Sequence, residues 1–323
     1  MADLPVKPFF IVGHPRSGTT LLRFILSSHT RLYIPEETGF IPFLHVDPEQ
    51  ALTQKDVQNL LARIGKLNYL WRDVVQNPSQ FYAGLPHKKL SDFLDALYQL
   101  QVAKFAALRW GDKTPLYVQY LPVINKIFPN AQFIHLIRDG RDTALSARKK
   151  WGTKSPYMDI YYLLMNWVRN VEAGQQAGQW LGHERYVEIK YEELVANPEP
   201  QVRKVCGFLN VEFEPEMLDH TPLAHFIGQG PNEHYEVLSP IHQDSVGRWR
   251  TEMSEFDQKL AAILAGKQLK KLAYELPDSP KLTNIEKARV WGLGVKFLIY
   301  DSFRSMLYRT GILTLNRNMR KPK

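Results

Sequence analysis

Residues 9–26 read FFIVGHPRSGTTLLRFIL, and this stretch decides the fold. The first four residues form a short apolar run, typical of a buried strand, and Gly13 interrupts it. From Thr19 onward the apolar residues recur at helical spacing. The pattern therefore predicts a strand, a glycine-containing turn and a helix in direct succession.

The turn, residues 13–20, has the G-x-x-x-x-G frame of a phosphate-binding loop. In that motif the backbone N–H groups and the N-terminus of the helix surround an anion. Nucleoside triphosphatases place a lysine after the second glycine, whereas this chain has Thr19 there. We therefore expect the loop to hold a nucleotide phosphate without hydrolysing it. Its donors would come from Arg16, Ser17, Gly18, Thr19 and Thr20.

Apolar runs elsewhere in the chain predict two more strands. One spans residues 132–137, stops at Asp139 and Gly140, and leads into a helical pattern over 142–151. The other spans residues 185–189. Further helical patterns lie at 53–67, 91–108, 116–128 and 157–181. Strands that alternate with helices predict an α/β fold, here a P-loop-like three-layer fold with a mostly parallel central sheet.

The composition excludes several classes of protein. With 323 residues, 44% of them hydrophobic, the chain can bury a core, which rules out a disordered or collagen-like protein. The single cysteine, Cys206, rules out an internal disulfide and a cysteine-rich zinc site, and it favours a reducing compartment. We find no signal peptide and no long apolar run, so we expect a cytoplasmic protein that does not span a membrane.

The net charge of +8 is concentrated near the C-terminus. Residues 277–280, Pro-Asp-Ser-Pro, have the composition of a linker, so we divide the chain into a domain at 1–276 and an extension at 277–323. Residues 282–323 contain nine Lys or Arg and two acidic residues, which accounts for +7 of the total. The domain is nearly neutral, so a few placed cations must hold any anionic ligand there.

The extension has the composition of one long helix with a basic end. Apolar residues such as Trp291 and Phe303 alternate with the cations. This pattern is typical of a helix that lies on an anionic membrane surface as a peripheral contact. It fits equally a helix that packs on the domain or on a second subunit, in a homodimer. Nucleic acid is not among the partners we expect.

Several separated stretches of the chain resemble one enzyme family. They are PRSGTTLLRFILSSH at 15–29, EET at 36–38, GDKTP at 111–115, FPNAQFIHLIRDGRDTALS at 128–146 and VEIKYEELVANPEPQVRKVCGFL at 187–209. In this order they resemble the sulfotransferases that use 3′-phosphoadenosine-5′-phosphosulfate (PAPS), and most closely the tyrosylprotein sulfotransferase-like branch. The resemblance implies transfer of a sulfuryl group from PAPS to an acceptor hydroxyl, without a metal. The other product would be 3′-phosphoadenosine-5′-phosphate (PAP).

The resemblance also implies which cations contact the donor. Arg16 would bind the 5′-phosphate and stabilise the charge that develops as the sulfate leaves, with Lys113 of GDKTP as a second cation. Arg138 closes a predicted strand, and Ser146 follows two helical turns later, so both side chains can face one anion. The resemblance implies that this anion is the 3′-phosphate.

Two later residues complete the expected donor site. Tyr191 follows the strand predicted at 185–189. The resemblance implies that it lies against the nucleotide, while packing in the core is the alternative. Arg248 would belong to a loop that closes over the 3′-phosphate.

A general base would complete the site. Glu37, the second glutamate of EET, follows a short segment at 32–34 that returns the chain to the sheet edge. The resemblance implies that Glu37 takes the proton of the acceptor. Apolar neighbours such as Phe40 and Ile41 would bury it partly, which suits a carboxylate to accept protons near neutral pH. His45 is the alternative base, because the cytosolic sulfotransferases use a histidine.

Two other functions remain open from the sequence alone. A P-loop small-molecule kinase shares the strand, loop and helix, although it needs the lysine that Thr19 replaces. A non-enzymatic protein that binds an anionic glycan or lipid would use only the basic surface. The acceptor could be a small metabolite, a lipid, a glycan or a peptide tyrosine, and no motif distinguishes them.

Overall fold

The computed structural model describes residues 7–105, 107–227, 238–276 and 281–309. The predicted linker at 277–280 and the basic residues after 309 lie outside the described residues. The strands of the described chain are β1 (Phe9–Gly13), β2 (Leu32–Tyr33), β3 (Arg109–Lys113), β4 (Gln132–Ile137) and β5 (Tyr186–Lys190). They form one sheet in the order β2-β3-β1-β4-β5, and every pair is parallel. The sheet confirms the predicted parallel α/β fold.

Helices connect the strands and continue after them. They are α1 (Thr19–Ser27), α2 (Gln54–Leu67), α3 (Pro78–Ala83), α4 (Leu90–Val102), α5 (Leu121–Ile127), α6 (Gly140–Trp151), α7 (Ile160–Leu181), α8 (Tyr191–Ala196), α9 (Pro198–Leu209), α10 (Thr221–Ile227), α11 (Trp249–Glu252), α12 (Glu255–Lys271) and α13 (Asn284–Arg309). Short 3-10 helices lie at Ile41–Phe43, Tyr69–Trp71, Ala103–Phe105, Pro115–Tyr120, Pro156–Met158 and Pro215–Leu218.

The central strand β1 contributes to a hydrophobic core on each face of the sheet. Its residues are fully buried, and successive side chains point to opposite faces. Phe10 and Val12 pack with apolar residues of α2, α4 and α5. Phe9 and Ile11 pack on the other face with residues of α1, α8 and α9. The fold therefore has three layers, because both faces of a parallel sheet must be covered.

The boundaries of several elements differ from the sequence pattern. The helix predicted over 91–108 ends at Val102, because residues 109–113 pair with their neighbours as β3. The helix predicted over 116–128 begins as the 3-10 turn Pro115–Tyr120 and becomes regular at Leu121. Pairing in the sheet explains the first difference, and a proline in the first turn of each of the two short helices, Pro115 and Pro122, accompanies the second.

The last helix, α13, packs against α7. Phe297 is buried between the rings of Tyr161 and Tyr162, and Asp301 forms an ion pair of 2.7 Å with Arg169. The predicted domain boundary at 277–280 stays a prediction. Within the described residues, no helix combines the length and the apolar character needed to cross a membrane.

Candidate active site

The predicted site residues gather at one edge of the sheet. Gly13 ends β1 and begins the phosphate loop, Lys113 ends β3, and Arg138 follows β4. Because β3 and β4 pair with opposite sides of β1, these two cations flank the loop. Ligands of open α/β sheets bind at such a place, outside the carboxyl ends of the strands where the chain order reverses.

The phosphate loop has an unusual backbone. Gly18 and Arg16 have positive φ angles of 91° and 72°, and the N–H of Ser17 donates to the carbonyl of His14 over 3.1 Å. A positive φ is uncommon for a residue other than glycine, and it persists where the surroundings hold it. A Cβ at Gly18 would collide with the ring of Tyr191. The loop is therefore shaped around Tyr191 and admits only glycine at position 18.

Beside the loop is an open cleft. Six predicted donor-binding residues line it: Arg16, Gly18, Thr19, Thr20, Arg138 and Tyr191. The opposite wall is formed by Ser239, Pro240, Ile241, His242 and Ser245. The structure thus brings most of the predicted donor site together in one place.

Hydrogen bonds connect the cations of the cleft. Arg138 lies over the ring of Tyr191, 4.4 Å from its centre, and donates through Nη1 to the carbonyl of Arg16 over 3.1 Å. Arg16 donates through Nε to Ser146 Oγ over 3.1 Å. Arg138 and Ser146, which the sequence assigns to one phosphate, are therefore linked through Arg16.

Two buried polar atoms of the predicted donor-binding residues have no hydrogen-bond partner within the described chain. They are Ser17 Oγ in the loop and Arg138 Nε at its side. Most buried polar groups are paired, so these two atoms are available to a group bound beside the loop. A hydroxyl and a guanidinium N–H both suit phosphate oxygens. The residues present therefore fit a phosphorylated nucleotide such as PAPS.

The wall at 239–245 contains none of the predicted site residues, and it leads into the predicted loop of Arg248. Asp142 anchors the segment that follows this wall. Its carboxylate accepts hydrogen bonds from the N–H groups of Gly247 and Trp249, over 2.7 and 2.9 Å. Arg248 pairs with Glu252 in α11 through two hydrogen bonds of 2.6 and 2.5 Å. Arg248 is not among the residues that line the cleft, and its contact with a donor stays a prediction.

Glu37 and Lys113 meet at the same edge of the sheet. Lys113 Nζ donates to Glu37 Oε2 over 3.0 Å. The lysine side chain is 4% exposed and that of the glutamate 27%, so the carboxylate reaches solvent and the ammonium does not. The sequence assigned these residues separately, and the structure places them in one ion pair.

The position of this pair follows from the neighbouring residues of the two motifs. Thr38 Oγ1 donates to Asp112 Oδ2 over 2.5 Å, so EET and GDKTP are joined directly beside the ion pair. Asn68 Nδ2 donates to the carbonyls of Glu37 and Thr38, over 3.2 Å each. Asp112 also accepts from the hydroxyls of Tyr98 and Thr114. Asp112 therefore organises the site without facing the cleft.

Replacing Asp112 with asparagine should change how stability depends on pH. Burial raises the pKa of Asp112 from 3.8 to about 6. The folded state then binds the proton more tightly than the unfolded state, so this carboxyl destabilises the fold as pH rises from about 4 to about 6. As pH rises across that window, the unfolding free energy of wild type should fall by about 2–3 kcal/mol relative to that of the Asp112→Asn variant, which has no proton to lose there.

Urea unfolding at pH 4.5, 5.5, 6.5 and 7 would measure this difference. Asp244→Asn is the matched control, because the Asp244 side chain is 91% exposed. Its profile should run parallel to wild type. If the stability of Asp112→Asn also changed with pH as that of wild type does, the raised pKa of Asp112 would be contradicted.

The two histidines near the site differ in their surroundings. His45 is exposed on a turn with φ 51°, where partial burial and Arg63 lower its pKa. His14, at the start of the loop, is buried, and burial together with Arg304 lowers its pKa to about 3. His14 is therefore neutral at pH 7, and its Nδ1 accepts from Asn170 Nδ2 over 2.7 Å.

Comparison with known proteins covers most of the chain. The model of a family described as "Sulfotransferase family" matches residues 8–215. Protein-tyrosine sulfotransferase A of Caenorhabditis elegans is 26% identical over 251 residues, which are 75% of this chain and 61% of that protein. The protein-tyrosine sulfotransferase of Drosophila melanogaster is 27% identical over 250 residues, which are 74% of this chain and 46% of that protein. The chain thus spans less than two thirds of either relative.

A solved structure has the same fold. It is the sulfotransferase domain from the Synechococcus PCC 7002 olefin synthase, with a TM-score of 0.58 and 24% identity. The superposition covers 85% of this chain and 98% of that domain.

Proposed function

This chain belongs to the sulfotransferase family, and on that premise we propose that it transfers a sulfuryl group from PAPS to an acceptor hydroxyl. One observation carries the proposal. A cleft with cations from the phosphate loop and from the end of β4 lies at the same sheet edge as the Glu37–Lys113 pair. Donor binding and proton transfer would thus have separate, adjacent groups.

The loop and its neighbours would hold the donor. Backbone and hydroxyl donors of residues 17–20, with Arg16, would bind the 5′-phosphate at the N-terminus of α1. Arg138 and Ser146 would bind the 3′-phosphate, and Tyr191 would contact the nucleotide. When bound, PAPS supplies a sulfuryl group on a phosphate leaving group. The orphaned Ser17 Oγ and Arg138 Nε support these assignments.

Glu37 and Lys113 would perform the transfer together. We assign the proton of the acceptor hydroxyl to Glu37 and the charge on the leaving oxygen to Lys113. When Glu37 takes the proton it loses its negative charge, and its attraction for Lys113, 3.0 Å away, falls. Proton transfer to Glu37 would therefore free Lys113 to stabilise the leaving oxygen.

The alternatives have less support. A P-loop kinase needs a lysine where this chain has Thr19, and a non-enzymatic glycan- or lipid-binding protein needs no Glu37–Lys113 pair. The exposed position of His45 favours Glu37 as the base.

The acceptor and the compartment are part of the proposal. The relatives that are named protein-tyrosine sulfotransferases favour a tyrosine hydroxyl as the acceptor. A small metabolite, a lipid or a glycan would present the same chemical group. We propose the cytoplasm as the compartment, because the single cysteine, Cys206, is a buried free thiol.

A labelled-sulfate assay tests the function. The full chain would be incubated with ³⁵S-labelled PAPS and four separate acceptor pools: tyrosine peptides, lipids, glycans and small hydroxyl metabolites. We expect label in one pool, with PAP released in equal amount. Magnesium-dependent transfer from γ-labelled ATP, without sulfate transfer, would overturn the proposal in favour of a kinase.

A further inference from the structure

Helix α13 has two faces with opposite surroundings. One face packs on the body of the protein, where Phe297 is buried and Arg304 donates to the hydroxyl of Tyr162 over 2.9 Å. The other face points into solvent. From Trp291 to Met306 its large apolar residues follow helical spacing, and Trp291 is 75% exposed and Leu298 64%. We call this face the outer stripe; it comprises Ile285, Trp291, Val295, Leu298, Ile299, Phe303 and Met306.

The outer stripe is longer than the scattered apolar residues of an ordinary surface. It extends over most of a helix of 26 residues. Contiguous exposed apolar surface of this kind marks a site of contact with a protein or a membrane. The stripe itself contains no charged residue.

The charges of α13 are divided between its faces. The two acidic residues face the body, where Glu286 pairs with Lys259 over 3.2 Å and Asp301 with Arg169 over 2.7 Å. Lys287 and Arg289 are exposed beside the stripe. After Asp301 the sequence contains only basic charged residues: Arg304, Arg309, Arg317, Arg320, Lys321 and Lys323. Lys287 and Arg289 therefore border the stripe, whereas Arg304 lies on the inner face against Tyr162, and the sequence after the stripe carries basic charges alone.

This charge distribution selects one kind of partner. A second copy of the chain, packed stripe to stripe about a twofold axis, would bring equivalent cations towards each other. The acids that could neutralise them already pair with the body. An anionic lipid surface complements the same pattern, because apolar residues enter the acyl boundary while the cations bind head groups.

We propose that the outer stripe of α13 binds the surface of an anionic lipid bilayer. The helix would lie in the plane of the interface, held by its inner face to the protein. This binding does not depend on the proposed activity, because the stripe and the cleft share no residue.

Co-sedimentation with vesicles tests the proposal on the full chain. Vesicles of phosphatidylcholine with phosphatidylserine would be compared with vesicles of phosphatidylcholine alone. We expect binding to the anionic vesicles that weakens as salt is added, and little binding to the neutral ones. Leu298→Glu should weaken the binding at least about tenfold, because it removes buried apolar carbons and adds a negative charge.

Leu100→Glu is the matched control, since Leu100 lies on α4 and is 38% exposed. It changes the net charge equally and should weaken binding by no more than about fivefold. Three results would overturn the proposal: no binding to anionic vesicles, equal binding to neutral ones, or equal loss in both variants. A concentration-dependent dimer that Leu298→Glu dissociates would also overturn it and assign the stripe to a second copy.

Discussion

Replacing Glu37 with glutamine should lower kcat for sulfate transfer by about 100- to 10,000-fold, the range that a positioned general base supplies. Glutamine keeps the size of the side chain and an oxygen that can accept from Lys113, which lies 3.0 Å from Glu37. An amide cannot take a proton from the acceptor at neutral pH. PAP affinity, measured by calorimetry, should stay close to wild type because Glu37 does not line the cleft.

Glu36→Gln is the matched control for this experiment. It makes the same chemical change one residue earlier in EET, and its kcat should remain near that of wild type. Full activity of Glu37→Gln would refute the assignment of the base. In that case His45→Ala should lose the activity instead.

Replacing Arg138 with glutamine should weaken PAP binding by about 30- to 1,000-fold, the effect of removing a buried charge that hydrogen-bonds to a charged partner. The Arg138 side chain is buried beside Tyr191, where water competes little for a phosphate. Adenosine monophosphate lacks the 3′-phosphate, so its affinity should hardly change. Calorimetric titration of both nucleotides into both proteins separates the two effects.

Arg203→Gln controls for the loss of a positive charge, because Arg203 forms an exposed pair with Glu199 on α9. It should bind PAP as wild type does. If wild type bound the two nucleotides equally, the assignment of the 3′-phosphate to Arg138 and Ser146 would be wrong. The same titration on Arg248→Gln tests the predicted contact of Arg248.

Much of the fold was predictable because its strands are encoded locally. The run at 132–137 matches β4 residue for residue, and the strand, loop and helix at 9–26 appear as expected. Each of these stretches is an apolar run bounded by glycine or aspartate, so its ends are marked in the sequence itself. The glycines, hydroxyl residues and arginine of the loop then indicated that it binds a phosphate.

The contacts within the site were not predictable, because they join distant parts of the chain. Thr38 and Asp112 hydrogen-bond across 74 positions, and Arg16 and Ser146 across 130. Such pairs depend on the order of strands in the sheet, which no local pattern encodes. The wall at 239–245 has no strand or helix period; Arg138 donates to the carbonyl of Ser245, and Asp142 holds the backbone of Gly247 and Trp249 that follow the wall.

The order of the strands also has a consequence for how the chain folds. Every strand pair joins residues more than 50 positions apart. The central strand β1 can pair only after both of its partners, β3 and β4, have been synthesised. Large loops must close before these pairings are gained, which slows folding. During synthesis the apolar segment FFIVG is therefore made long before residues 132–137 can cover it. We expect folding yield, rather than the stability of the finished protein, to limit expression, and to improve with slower synthesis or chaperones.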